Sequence, residues 1–149
     1  MKKALFTMLF SLGMVFSYAQ TENPGIINLT DDNNWQLYQE TDLLQIYSKM
    51  IRCDLPDEGI RREMVILKFV NRTNQTVNLE WDMQLFYNGN CRTCNIEGDA
   101  YHYKLSLNPN AILEGDCSSE KELLLFSKFV LDKEMKGLTN FELANLKIE

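Results

Sequence analysis

The sequence predicts an all-β fold: a two-sheet antiparallel sandwich of immunoglobulin-like type, preceded by a signal peptide. Three observations carry that prediction. Residues 77–85, VNLEWDMQL, alternate apolar and polar without a break, the period of a strand with one face in a core and the other in water. About six or seven such stretches recur between turn-forming residues, and none shows convincing helical periodicity. Half-polar sheets must also bury their apolar faces against something, and a second sheet is the simplest cover.

The elements follow in order. The start, MKKALFTMLFSLGMVFSYA, has Lys2 and Lys3 before an apolar run from Ala4 to Phe16, then Ser17-Tyr18-Ala19. That run is too short to cross a bilayer as a helix but suits a secretory signal, so residues 1–19 are expected to be cleaved after Ala19. No cysteine lies near the cut, which excludes lipid attachment there. No later segment approaches the roughly twenty apolar residues of a membrane span, so no membrane insertion is expected after cleavage. Residues 20–149 then form a single domain around one core.

Within that domain, Trp35 to Tyr38 suggests a short edge strand and Leu43 to Cys53 a longer one. Met64 to Val70, MVILKFV, is almost continuously apolar, as in a strand covered on both faces. Across the polar connection Asn71 to Thr76 it is expected to pair with residues 77–85 as an antiparallel hairpin. Tyr101, Tyr103, Leu105 and Leu107 alternate with His102, Lys104 and Ser106, and Asn108-Pro109-Asn110 ends that strand. Leu123 to Leu131 reads as strand rather than helix because of its phenylalanines and valine. Phe141 to Ile148 alternates, then changes parity between Leu143 and Leu146, which signals a bulge.

Composition narrows the function classes. The formal net charge is −6, and losing Lys2 and Lys3 with the leader makes the remainder more acidic. Such a chain repels phosphate backbones and anionic headgroups, so no nucleic-acid partner is expected. His102 is the only histidine, so a Ser-His-Asp or Cys-His mechanism must use it. No G-x-S-x-G, H-E-x-x-H or glycine-rich phosphate loop occurs either. The expectation is a protein that acts without catalysis and without a cofactor.

Cys53, Cys91, Cys94 and Cys117 are even in number, and in an oxidising compartment they read as two disulfides with the connectivity open. A bridge from Cys53 to Cys117 would contribute about 4 kcal/mol by closing a long loop, and one from Cys91 to Cys94 about 2 kcal/mol before strain. The order Cys53, Trp81, Cys117 looks like that of immunoglobulin domains, but Cys53 and Cys117 both sit where strands run into loops. A thioredoxin-type redox centre needs its C-x-x-C at a helix N-terminus, and Asn95 to Gly98 does not continue as a helix. The alternative is a zinc site of Cys91, Cys94, His102 and Cys117, which would leave Cys53 unpaired. The repeated Glu97-Gly98-Asp99 and Glu114-Gly115-Asp116 could offer calcium its oxygens but lack the dense ligand ladder of a calcium loop. Asn28, Asn71 and Asn74 match the N-glycosylation pattern and read as turn residues.

The segments VILKFVNRTNQTVNLEWDMQLFYNG, CRTC and LSLNPNAILEGDC, with the leader end SYAQ, resemble small exported proteins of the Bacteroidetes. The resemblance implies a periplasmic or secreted location and a β-sandwich, and it carries over no catalytic residue. A binding or structural module acting on a protein or glycan ligand is the expected role. Its surface is expected at the cysteine-bearing end, with Tyr87, Asn90, Tyr101, His102 and Tyr103, because aromatics beside a rigid loop make recognition anchors.

Overall fold

The computed structural model describes residues 34–55, 59–96, 98–130 and 136–149; the expected signal peptide lies outside them. Where the sequence alternates, the chain is extended. The described residues hold β1 (Gln36–Glu40), β2 (Leu44–Leu55), β3 (Ile60–Asn71), β4 (Val77–Tyr87), β5 (Asn90–Cys91), β6 (His102–Leu107), β7 (Ile112–Glu114), β8 (Leu124–Phe129) and β9 (Leu138–Ile148). A 3-10 turn, Asp99–Tyr101, leads into β6, and no α-helix occurs among the described residues.

The strands form two antiparallel sheets. In the first, β1, β2 and β3 are consecutive neighbours, and β2 pairs with β3 from Leu44↔Asn71 to Leu55↔Ile60. That pairing fills one edge of β3, so β7 and β8 share the other. In the second sheet β4 is central: β9 occupies one edge, which leaves the other to β5 and β6.

β3 and β4 do not pair with each other, which corrects the hairpin expected between them. Their apolar faces meet across the core instead, with the Phe69 ring 5.6 Å from that of Trp81. Residues 71–76 therefore carry the chain from one sheet to the other. Asn71, only 2% exposed, organises that crossing. Its amide nitrogen donates to the carbonyls of Gln75 (2.8 Å), Leu107 (3.2 Å) and Asn108 (2.8 Å), while its oxygen accepts from the N–H and hydroxyl of Thr73.

The core lies between the sheets. Val65, Leu67 and Phe69 of β3 face Val77, Leu79, Trp81 and Met83 of β4, all nearly free of solvent contact. Trp81 also tilts against Tyr103 at 5.8 Å. Near β9, Tyr38 stacks on Phe141 at 4.9 Å, and its hydroxyl accepts the N–H of Leu143 at 2.9 Å. Each such aromatic contributes about 1.5–3 kcal/mol by leaving water.

The parity change in β9 is a bulge. Register shifts where Lys147 faces Glu80 and Ala144 faces Asp82, and between them Asn145 takes a left-handed φ of 53°, a conformation asparagine tolerates. The extra residue returns Leu146 and Ile148 to the core side, where Leu143 already packs.

Candidate binding surface

The outer faces of the two sheets differ in chemistry. On the second sheet, His102 lies between two carboxylates, with Nδ1 2.8 Å from Asp82 Oδ1 and Nε2 3.4 Å from Glu80 Oε1. Lys147 donates to Glu80 at 3.0 Å, Lys104 lies 3.5 Å from it, and Asn145 donates to Asp82 at 2.7 Å. The Lys147 hydrogen bond holds the Glu80 carboxyl below its usual range, and the Asn145 and His102 hydrogen bonds do so for Asp82. An open groove of about 330 Å³ runs along this face, lined by Leu79 and Leu105 together with polar residues such as Asn78, Lys104 and Ser106. Its charges are mutually neutralised.

The outer face of the first sheet mixes apolar and aromatic side chains with lysines and Glu114. Leu37, Tyr47, Lys68 and Glu114 form a row across β1, β2, β3 and β7, and Val70 and Ile112 pair beside it. The Lys68 ammonium sits 4.2 Å from the Trp35 ring and 4.9 Å from the Tyr47 ring, with Lys49 5.6 Å from Trp35. Each cation–π contact at a partly exposed site contributes about 0.5–1 kcal/mol. At the margins of the sheet, Leu37 is 50% and Ile112 66% exposed. Two large apolar side chains thus stand open on either side of a packed cation–aromatic cluster.

A loop closes over the other end of that face. β7 and β8 both lie on the edge of β3, and the chain between them is pinched by Gly115 N–H to Leu67 O (2.9 Å) and Leu67 N–H to Leu123 O (3.0 Å). Gly115 is required at the pinch: a Cβ there would sit 2.6 Å from the Leu123 carbonyl oxygen. Residues 116–122 leave the sheet, and Cys117 bonds Cys53 on β2, one strand beyond β3. The loop therefore crosses β3, where Met64 and Ile66 face away from the core and are only 5% and 4% exposed. Asp116 folds the loop locally, its carboxylate accepting from Ser118 N–H (2.8 Å), Ser118 Oγ (2.7 Å) and Ser119 Oγ (3.1 Å). Those bonds, the Ser118 hydroxyl first, hold its carboxyl below the usual range.

The second disulfide, Cys91–Cys94, closes the turn after β5. Thr93, 7% exposed, anchors that turn: its hydroxyl accepts the Leu85 N–H and donates to the Met83 carbonyl, both at 2.9 Å. Arg92 N–H adds a bond to Leu85 O at 2.8 Å, and the Cys94 N–H points at Cys91 Sγ at 3.0 Å.

The residues expected at the cysteine-bearing end do not form one surface. Tyr87, Tyr101 and Tyr103 pack against the core, and the Tyr87 hydroxyl donates to the Phe126 carbonyl. Asn90 is exposed in the turn, while His102 points to the charged outer face. With all four cysteines in disulfides, the set Cys91, Cys94, His102 and Cys117 holds no thiolate for zinc, and Cys117 is bonded to a residue of the other sheet. Of the carboxylates considered for calcium, Asp116 is engaged by its own loop and Glu97 lies outside the described residues, as does Asn28 of the glycosylation pattern. The residues that build the surface here, Trp35, Tyr47, Lys68 and Ile112, have no sequence signature, because the strand register alone brings them together. Comparison of the chain with protein-family models, curated proteins and solved structures found no match.

Proposed function

We propose that the chain is an exported, non-enzymatic binding module that takes a protein partner on the outer face of its first sheet. The observation that carries this is the exposure of Leu37 and Ile112 on either side of the Trp35–Lys68–Tyr47 cluster, while the opposite sheet presents a self-neutralised charged face. Lys49 and Lys68 favour a partner segment that combines apolar side chains with carboxylates, since the ammonium groups already lie over the rings. Two disulfides support export to the periplasm or beyond, because such bonds persist in oxidising compartments. Strand order supports an immunoglobulin-like plan: β3 pairs with β8 and β4 with β9, as B pairs with E and C with F in that fold.

Photo-crosslinking side chains placed at Leu37 and Ile112 in the native host test the assignment. They should trap one defined protein, and the yield should fall at least tenfold with Trp35→Ala or Lys68→Glu, while probes at Ser106 and Glu142 trap none. Capture of the same species from both faces, trapping of glycan alone, or no adduct from the first sheet would overturn it.

A further inference from the structure

The two disulfides are placed in opposite chemical situations. Cys53 is 4% exposed, and although Cys117 is exposed, a thiolate attacking Cys117 would have to expel Cys53 as an anion into a nearly dry site beside the sheet. Burial raises a thiol's pKa and makes it a poor leaving group. In the Cys91-Arg92-Thr93-Cys94 turn, Cys94 is the exposed sulfur and Cys91 the half-buried one. Attack at Cys94 expels Cys91, whose developing charge meets the Cys94 N–H already aimed at it from 3.0 Å. Charge-assisted N–H bonds of this kind stabilise thiolates.

Contacts other than the disulfide also hold the turn. Thr93 fixes it to β4 through Leu85 N–H and Met83 O, and Arg92 N–H bonds Leu85 O, so opening the ring removes no contact that anchors the strand. A staple whose loss leaves its loop in place contributes little as a staple.

We propose that Cys91–Cys94 is an exchange site, opened by an external dithiol reductant while Cys53–Cys117 stays closed. The reductant's thiolate attacks Cys94 Sγ, the Cys91–Cys94 bond breaks, and Cys91 leaves as a thiolate. The reductant's second thiol then attacks its own sulfur in the mixed disulfide, releasing Cys94. Two electrons pass from the dithiol to the protein, the reductant ends as a disulfide, and two protons end on Cys91 and Cys94. The partner class is a dithiol-bearing protein or small dithiol of the exported compartment.

The test uses folded full-length protein, graded dithiothreitol as the probe, iodoacetamide quenching and peptide mass mapping, with near-UV circular dichroism recorded in parallel. Cys91 and Cys94 should become alkylated at least tenfold faster than Cys53 and Cys117, with the aromatic dichroism unchanged. In the double variant Cys91→Ser/Cys94→Ser the fast phase should vanish and the slow phase persist. Equal rates for the two bonds, prior opening of Cys53–Cys117, or collapse of the aromatic signal as Cys91 and Cys94 label would each overturn the proposal.

Discussion

Asn71 carries more structure than any other polar side chain described here. It stands where β3 ends, and five hydrogen bonds from one amide join the β3–β4 crossing to the β6–β7 connection. Asn71→Ala removes five hydrogen bonds, the buried one to the Leu107 carbonyl and the one from the Thr73 N–H among them, so it is expected to lower stability by about 2–3 kcal/mol in urea unfolding. In the sequence this residue reads as an ordinary turn asparagine, because a turn asparagine and a buried hub look alike until the fold surrounds them. Tyr38 is similar in kind. Burial pushes its hydroxyl pKa up to about 12 from 10.0, against the lowering effect of the Leu143 N–H bond, with Glu142 adding a smaller upward push. The unfolded tyrosine ionises near 10 and the folded one near 12, so this contribution is complete below pH 10 and is lost as pH rises through 12. Burial also raises the pKa of the Tyr87 and Tyr103 hydroxyls, so absorbance titration should show a late-ionising group of tyrosines to which Tyr38 contributes, together with unfolding. Tyr38→Phe should reduce that late amplitude and cost about 1–3 kcal/mol by orphaning the Leu143 N–H.

At the scale of elements, periodicity read the strands well and their partners poorly. The alternation of β4, the strand character of β8 and the bulge in β9 were all legible, since each is a local pattern of side chains. The continuous apolar run in β3 was also informative, because Met64 and Ile66 are covered on the face opposite the core. Pairing was not legible: a polar connection of the length of residues 71–76 serves a hairpin or a crossing equally, and the choice is made by which apolar faces must meet. The loop over β3 adds a prediction at this scale. Gly115→Ala forces a Cβ against the backbone at Leu123 and should cost about 1–3 kcal/mol, with faster hydrogen exchange at the Leu67 and Gly115 amides than at β4.

For the whole molecule, the two sheets are held together by packing and by a few side-chain bonds, Tyr38 to Leu143, Tyr87 to Phe126 and Ser127 to Leu138 among them. Each disulfide instead ties a loop to a strand: Cys53–Cys117 lies on the outside of the first sheet, and Cys91–Cys94 within a turn of the second. Acid stability follows from the surface carboxylates. Glu80, Asp82 and Asp116 have folded pKa values below their ordinary 4.5 and 3.8, so their contribution is complete above those values and is lost as pH falls through the folded ones. Melting temperature should stay level from neutral pH to about 5 and decline below about 4, only modestly because the groups are exposed. The measurement that bears most directly on the architecture is non-reducing peptide mapping of the natively produced protein. Peptides joining Cys53 to Cys117 and Cys91 to Cys94 are predicted. Peptides joining Cys53 to Cys91 or Cys94, or thiols holding a metal, would contradict the arrangement of both sheets and the loops pinned to them.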